Sequence, residues 1–328
     1  MSNYNFISVY AKHITDLISI KRSLGYKYTT QESILYHFDL YVVYNNFTCT
    51  SITPEVAEGW MMKRPTEADI TRYGRISALI QLASYMCDIG VSDYIPRMPR
   101  IPKSNFIPYI YSNDEIKAIF KACDNLILSS LHFNSVIIIL PALVRILYAT
   151  GLRISEALNL PDRDVHLDEN YLVVRDTKNQ MERMIPISQS LSDVCKQYVF
   201  YREKLPVKID KEFFFLSLSG CRCKASHTIH GWFRIILKNA GIPFTGNFQG
   251  PRVHDLRHTF SVHAMEKMSR NGDDMYCSMS ILSTYLGHKS SKSTEHYVRL
   301  CQQMYPELVE KVKFINQHIF PETEYGND

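Results

Sequence analysis

A proline-rich segment near residue 100 is the feature that most limits how this chain can fold. The stretch YIPRMPRIPKSNFIP (94–108) contains four prolines. Proline has no backbone N–H and clashes with the preceding helical turn, so the stretch predicts an extended linker. At 328 residues the chain is long enough for a separate core on either side. We therefore expect an N-terminal domain at 1–100, a linker at 101–108 and a second domain at 109–328.

The N-terminal domain has the hydrophobic spacing of four short helices. Thr53 followed by Pro54 indicates an N-cap and the first residue of the third helix. The helical period places four apolar residues of the first helix on one face: Ile14, Leu17, Ile18 and Leu24. The fourth predicted helix carries apolar residues at helical spacing, namely Ile70, Tyr73, Ile80, Ala83 and Cys87. These patterns predict a small helical bundle.

The sequence of the second domain predicts helices around a β-hairpin. Ser112 and Glu115 have the spacing of a capping box, and a long apolar helix is expected to follow through residue 149. Its apolar core VIIILPALV (136–144) is too short to span a bilayer. The stretch YLVVRDTKNQMERMIPIS (171–188) alternates around a polar turn, which predicts a hairpin with Lys178 at its tip. The fold class is therefore mainly α with a small antiparallel β-sheet (α+β).

Charge and cysteine content limit the class of protein. The formal net charge of +4 is too small by itself to indicate a nucleic-acid partner. Positive residues nevertheless cluster in the N-terminal domain, where a solvated surface is the ordinary explanation and DNA contact the alternative; the cluster consists of Lys63, Arg64, Arg72 and Arg75. Eight scattered cysteines and the lack of a signal-like N-terminus favour a reducing cytoplasm.

A short segment with two cysteines and two histidines raises the question of zinc. CRCKASHTIH (221–230) is spaced more tightly than a usual structural zinc site, and no second knuckle accompanies it. We favour a loop that enters a helix and expect no metal.

Three motifs carry the residues that point to chemistry. ATGLRISEALNL (149–160) places Arg153 between two predicted helices, with Glu156 one turn away to pair with it; alone, this would equally suit a structural ion pair. RVHDLRHTF (252–260) presents His254 and Arg257 on one helix face, with His258 beside them. YLGHKSSKSTEHYV (285–298) adds His288 and Tyr297.

Together these motifs supply two arginines, two or three histidines and a tyrosine, and the hairpin adds a lysine. No carboxylate cluster accompanies them to hold a metal. Guanidinium groups can bind the non-bridging oxygens of a phosphate, and histidines can move protons near neutral pH. A tyrosine can form a covalent intermediate. The set therefore fits metal-free attack on a phosphodiester.

The order Arg, Lys, His-x-x-Arg, His, Tyr resembles the tyrosine recombinase, or phage integrase, family. The nine-residue step from His288 to Tyr297 is the family's spacing. The resemblance implies that Arg153 and Arg257 hold the scissile phosphate and that Tyr297 is the nucleophile, which forms a 3′-phosphotyrosyl link. It further implies that His254 accepts or donates a proton and that His288 donates a hydrogen bond to the phosphate. Lys178 would be the acid that protonates the departing 5′ oxygen. Glu156 and His258 would support these groups.

The resemblance also implies the partners and the setting. We expect a DNA-binding N-terminal bundle, double-stranded recombination sites, a homotetramer assembled on DNA, and neither cofactor nor ATP. An accessory DNA-bending protein would be compatible, no membrane partner is implied, and the location would be the cytoplasm, at the nucleoid. The segment 266–284 is longer than in the compact members of the family, which predicts a lengthened loop before the next helix. The apolar spacing after Pro306 predicts an amphipathic helix whose apolar side needs a partner. Packing on its own catalytic domain is one alternative, and the resemblance implies docking on a neighbouring protomer.

Two other functions fit parts of the same pattern. A type IB topoisomerase would use similar chemistry without partner protomers. A non-catalytic DNA-binding regulator would have no need for the tyrosine.

Overall fold

The computed structural model describes residues 4–92, 94–102, 107–128, 134–175, 182–223, 226–244, 246 and 250–288. The chain divides into two compact units, Met1–Phe106 and Ile107–Asp328. The division falls inside the predicted linker at 101–108. Lys178, Tyr297 and the helix expected from Pro306 lie outside the described residues.

The described residues of the N-terminal unit form a bundle of four helices, as the hydrophobic spacing predicts. They are α1 (Ala11–Ser23), α2 (Thr29–Tyr44), α3 (Pro54–Met61) and α4 (Asp69–Asp88). The predicted start of α3 is confirmed, because the Thr53 hydroxyl accepts the Val56 N–H at 3.4 Å. That bond satisfies one of the donors that a helix N-terminus leaves open.

The core of this unit surrounds Trp60, whose ring meets Phe38 edge to face at 5.3 Å. Two predicted core positions are wrong: Leu24 is 66% exposed and Ile70 is 61% exposed. Leu24 follows the last residue of α1, where the chain turns away. Ile70 lies roughly 120° around α4 from the buried Ile76, since each residue advances about 100°.

The second unit contains seven described helices. They are α5 (Asn113–Asp124), α6 (Leu140–Thr150), α7 (Ile154–Leu158), α8 (Gln189–Arg202), α9 (Ser226–Asn239), α10 (Asp255–Arg270) and α11 (Met275–Leu286). The Ser112–Glu115 capping box is confirmed. The apolar helix is shorter than predicted: a 3₁₀ turn at Ile137–Ile139 precedes it, and Pro141 lies in its first turn, where no N–H partner is required.

Helix α6 is the centre of this unit and packs against α5, α8 and α10. Three antiparallel strands, β1 (Val165–His166), β2 (Tyr171–Val174) and β3 (Arg183–Pro186), form a sheet in that order. The predicted hairpin is confirmed, with Val174 paired opposite Arg183, and β1 is an addition to it. The hairpin tip at 176–181 lies outside the described residues.

The long loop expected within 266–284 is not present. Helix α10 continues to Arg270 and α11 begins at Met275, so only 271–274 connect them. Gly272 has φ +90° just after α10 ends, and the Asp274 carboxylate accepts the Cys277 N–H at 2.9 Å. The connection is short because residues 266–270 belong to α10 and residues 275–284 belong to α11.

Candidate active site

Arg153 is placed by a break between two helices. Gly151 ends α6 in the left-handed region, at φ +61°, and Arg153 is the residue that precedes α7. A Cβ at position 151 would lie 2.5 Å from Cδ1 of Phe260, so glycine is needed there for space as well as for conformation. The Arg153 side chain is partly exposed at this junction.

Glu156 is the buried carboxylate that holds Arg153. Its Oε1 accepts from Nη1 of Arg153 at 2.7 Å, and its Oε2 accepts the Arg153 backbone N–H at 3.0 Å. The predicted pairing of Arg153 with Glu156 is therefore confirmed. Burial by itself would raise the pKa of Glu156, but the hydrogen bond and charge of Arg183 and the two hydrogen bonds from Arg153 outweigh it and lower that pKa. The carboxylate stays ionised at neutral pH.

Arg183 is a site residue that the sequence reasoning missed. Its Nη2 donates to Oε2 of Glu156 at 2.8 Å, so the carboxylate lies between two guanidinium groups. Arg183 is 27 residues from Glu156 along the chain and begins β3. The one signal in the sequence was an arginine next to the turn of a predicted hairpin that carries a candidate catalytic lysine.

Arg257 is almost completely buried, with 2% of its surface exposed. Its Nη1 donates to the Gly151 carbonyl at 2.6 Å, and its Nη2 donates to the Leu286 carbonyl at 2.9 Å. These carbonyls lie at the C-terminal ends of α6 and α11, where the helix dipole places negative partial charge. The guanidinium thus joins two helix ends, which explains how a buried arginine is accommodated.

His288 lies beside Arg257 at the end of α11. Gly287, at φ +66°, turns the chain there, and Nε2 of His288 is 3.0 Å from Nη2 of Arg257. Burial lowers the pKa of His288 to about 4, with further contributions from Arg257, Arg153 and Arg183. The imidazole is therefore neutral at pH 7.

His254 immediately precedes α10 and faces the same charges. Burial is the largest cause that lowers its pKa to about 4, and the positive charges of Arg257, Arg252 and Arg153 lower it further. The negative charge of Glu156 acts in the opposite direction. His258, one turn later, packs edge to face on the His254 ring with centroids 4.9 Å apart. His254 and His288 are thus both held neutral by burial within a cluster of guanidinium groups.

The structure brings five of the predicted site residues into one cluster. They are Arg153, Glu156, His254, Arg257 and His288, and His258 lies against them. The positive side chains outnumber the carboxylates, so the cluster suits an anion with several oxygens. Lys178 and Tyr297 lie outside the described residues.

The description of a known family fits this chain. The model of the phage integrase family matches residues 110–304, which is more than half of the sequence and includes every motif above. The chain belongs to the phage integrase family. It is thus an enzyme of the tyrosine recombinase type.

Relatives within this family match the chain along much of its length. An integrase/recombinase of Sinorhizobium fredii named y4rB is 26% identical over 94% of this chain and 98% of its own. Tyrosine recombinase XerA of Pyrococcus horikoshii is 30% identical over 66% of this chain and 65% of its own. The lambda integrase tetramer bound to a Holliday junction shares the fold, with a TM-score of 0.59, 19% identity, and coverage of 90% of this chain and 78% of that one.

The basic residues of the N-terminal unit differ in how exposed their side chains are. Lys63 and Arg64 are exposed, and Lys63 pairs with Asp69 at 2.6 Å. Arg72 is half-buried and donates to the Met61 carbonyl at 2.9 Å.

Arg75 does not fit the predicted set of DNA-binding residues. It is 5% exposed, and its guanidinium makes a two-bond pair with Glu67 at 2.7 and 2.8 Å. It also lies over the Trp60 ring, 4.9 Å from the centroid. Its donors therefore hold the bundle together instead of facing a phosphate backbone.

The segment with two cysteines and two histidines, 221–230, leads into a helix. Cys221 is exposed, Cys223 is buried, and α9 begins at Ser226, as the sequence predicts. Within the described residues, no three His, Cys, Asp or Glu side chains come together in a way that could hold a metal ion. In the same ranges, no helix combines the length and apolar character that crossing a bilayer requires.

Proposed function

We propose that this phage integrase family member is a site-specific DNA recombinase that acts through a covalent 3′-phosphotyrosine, with neither metal nor ATP. The observation that carries the proposal is the cluster of Arg153, His254, Arg257 and His288. These residues come from three separate motifs that span 135 positions of the sequence, from Arg153 to His288, yet they share one electrostatic environment. A group of neutral imidazoles among guanidinium ions is suited to a phosphodiester and to proton transfer beside it.

In the proposed reaction, the phenolic oxygen of Tyr297 attacks the phosphorus. The P–O5′ bond breaks, a 3′-phosphotyrosyl bond forms, and the 5′ hydroxyl leaves. His254 accepts the phenol proton, and Lys178 gives a proton to the departing O5′. Attack by a 5′ hydroxyl of another strand reverses these steps and restores a phosphodiester. Each bond that breaks is replaced by one of similar energy, so no nucleotide has to be hydrolysed.

The supporting roles follow from charge and position. Arg153 and Arg257 would bind the non-bridging oxygens and stabilise the charge that grows on them in the transition state. His288 would donate a hydrogen bond to one of these oxygens. The lowered pKa of His254, about 4, leaves its imidazole neutral at pH 7, which a proton acceptor requires.

The proposed partner is double-stranded DNA bearing recombination sites. Lys63, Arg64 and Arg72 remain proposed backbone contacts, whereas Arg75 is removed from that set. We further propose a homotetramer on DNA, in which the segment from Pro306 docks on a neighbouring protomer. The fold neighbour from lambda is a tetramer on a Holliday junction, which supports this arrangement by likeness. An accessory DNA-bending protein would be compatible, and the working location would be the cytoplasm, at the nucleoid.

Covalent-adduct formation tests the proposal. The protein would be incubated with DNA that flanks its own gene, and attachment points would be mapped after denaturation. We expect adducts from the wild type and from Tyr285→Phe, and none from Tyr297→Phe. Tyr285 is a matched control because it is a half-buried tyrosine stacked on Phe260, where burial raises its pKa to about 12. An adduct that persists in Tyr297→Phe would refute the nucleophile.

Two further measurements separate the alternatives. A type IB topoisomerase would relax supercoiled DNA without assembling, so DNA-dependent tetramers measured by mass photometry would exclude it. A binding-only regulator would shift DNA in a gel and form no adduct with any substrate.

A further inference from the structure

Arg183 is a buried cation to which none of the family-derived roles applies. Its side chain is nine-tenths buried, and a buried charge requires a partner. Glu156 is that partner, at 2.8 Å from Nη2. The Nε and Nη1 atoms are also buried, and among the described residues they have no hydrogen-bond partner. Buried donors without partners cost folding free energy, so the position of Arg183 needs an explanation beyond the stability of the hairpin.

The position of Arg183 ties the β2–β3 hairpin to the arginine of the site. Glu156 accepts from Arg183 on one side and from Arg153 on the other. Without Arg183, the carboxylate would keep a single guanidinium partner, and its Oε2 would be held only by the Arg153 backbone N–H. The orientation of Arg153 therefore depends on Arg183, through one shared carboxylate.

Arg183 also lies against the segment that carries His288. A Cβ on Gly287 would be 3.1 Å from Nη1 of Arg183, so the absence of a side chain at 287 leaves room for the guanidinium. Arg183 is among the charges that lower the pKa of His288. One side chain thus touches both the support of Arg153 and the end of α11.

We propose that Arg183 is a positioning residue, which fixes Glu156 and through it aims Arg153 at the scissile phosphate. This inference rests on the proposed function. Arg183 is not assigned a contact with DNA. Loss of such a supporting group should slow cleavage by about 10- to 100-fold, the size found for groups that orient ligands in other sites.

The test compares Arg183→Met with Arg175→Met on two substrates built from the mapped cleavage site. One carries the natural phosphodiester, and the other carries a methylphosphonate, in which a methyl group replaces one charged oxygen. Arg175 is a matched control because it follows β2 on the same hairpin and pairs with Asp164 and Glu182. Its partners do not include Glu156, so any loss in Arg175→Met comes from the hairpin alone and should be equal on the two substrates.

We expect Arg183→Met to cleave the phosphodiester about 10- to 100-fold more slowly and the methylphosphonate nearly as fast as the wild type does. The neutral group needs no well-aimed guanidinium, so the defect should depend on the charge of the substrate. Equal losses on the two substrates would indicate a merely structural role and overturn the inference. Cleavage of the phosphodiester within threefold of wild type would also overturn it.

Arg183→Lys keeps the charge and guards against a variant that fails to fold. A lysine has one ammonium group in place of the planar fork, so we expect a smaller loss with the same dependence on substrate charge. Loss without that dependence counts against the inference. If the wild type forms no Tyr297-dependent adduct on either substrate, the proposed function itself fails, which is a different result from any of these.

Discussion

Nη2 of Arg257 donates to Nε2 of His288 across 3.0 Å. A guanidinium has donors and no acceptor, so the imidazole nitrogen must supply the lone pair. The proton of neutral His288 is therefore on Nδ1. Protonation of Nε2 would replace this bond with repulsion, which agrees with a pKa lowered to about 4.

Stability should fall as the pH drops from neutral. His254 and His288 have folded-state pKa values of about 4, whereas an unfolded histidine titrates near 6.5. Between these values the unfolded chain binds protons that the folded protein does not, so stability is lost as pH falls through that window. Chemical denaturation at pH 7 and pH 5 measures the difference. The double variant His254→Gln and His288→Gln should show a weaker pH dependence, and an unchanged slope would contradict the assignment.

DNA binding should be accompanied by proton uptake near pH 6. A phosphate between the guanidinium groups brings negative charge beside both imidazoles and should raise their pKa values from about 4. Calorimetric titrations in two buffers with different ionisation enthalpies would give the number of protons taken up. The wild type should take up more protons than the double glutamine variant, and equal uptake would show that the phosphate does not reach the histidines.

Arg153→Lys and Arg257→Lys should each slow cleavage by roughly 100- to 1000-fold, by analogy with the loss of one preorganised donor. DNA affinity should change far less, because other phosphate contacts dominate it. The two variants should differ in stability. Arg257→Lys removes bonds to the Gly151 and Leu286 carbonyls and should lower the melting temperature, while Arg153→Lys should leave it nearly unchanged.

Adduct assays and thermal melts on both variants, with and without a chelator, would measure these effects. Rates within tenfold of wild type would contradict the clamp. Inhibition by the chelator would instead indicate a metal.

Arg75 and Arg64 should behave oppositely, although both lie over the same tryptophan. Arg75→Met leaves the buried Glu67 without its main partner and should destabilise the N-terminal unit by about 3–5 kcal/mol. Arg64→Met should leave stability unchanged and weaken DNA binding, with the salt slope reduced by about 1. Denaturation curves and salt-dependent gel shifts would distinguish them. Equal stability of the two variants would contradict the structural role of Arg75.

Local signals in the sequence predicted much of this fold. Thr53, Ser112 and Gly151 mark helix ends through bonds or backbone angles that involve residues close by in the chain. The pairing of Arg153 with Glu156 was predictable for the same reason, because one helical turn separates them.

The features that were missed depend on distant partners. Arg183 meets a carboxylate 27 residues away, and the burial of Arg75 depends on its packing against Trp60 as well as on Glu67. The incorrect prediction of a long loop within 266–284 has a local cause. Asp274 caps α11, but an acidic residue at that position is equally typical of a loop.

The two arginines of the site are anchored by different kinds of atom, and this has a consequence for sequence variation within the family. Arg153 depends on the side chains of Glu156 and Arg183, so a relative that loses one of them should have changed the other. Arg257 depends on the main-chain carbonyls of Gly151 and Leu286, which any residue can supply. Covariation in an alignment should therefore reveal the support of Arg153 and miss that of Arg257, apart from a glycine retained at position 151.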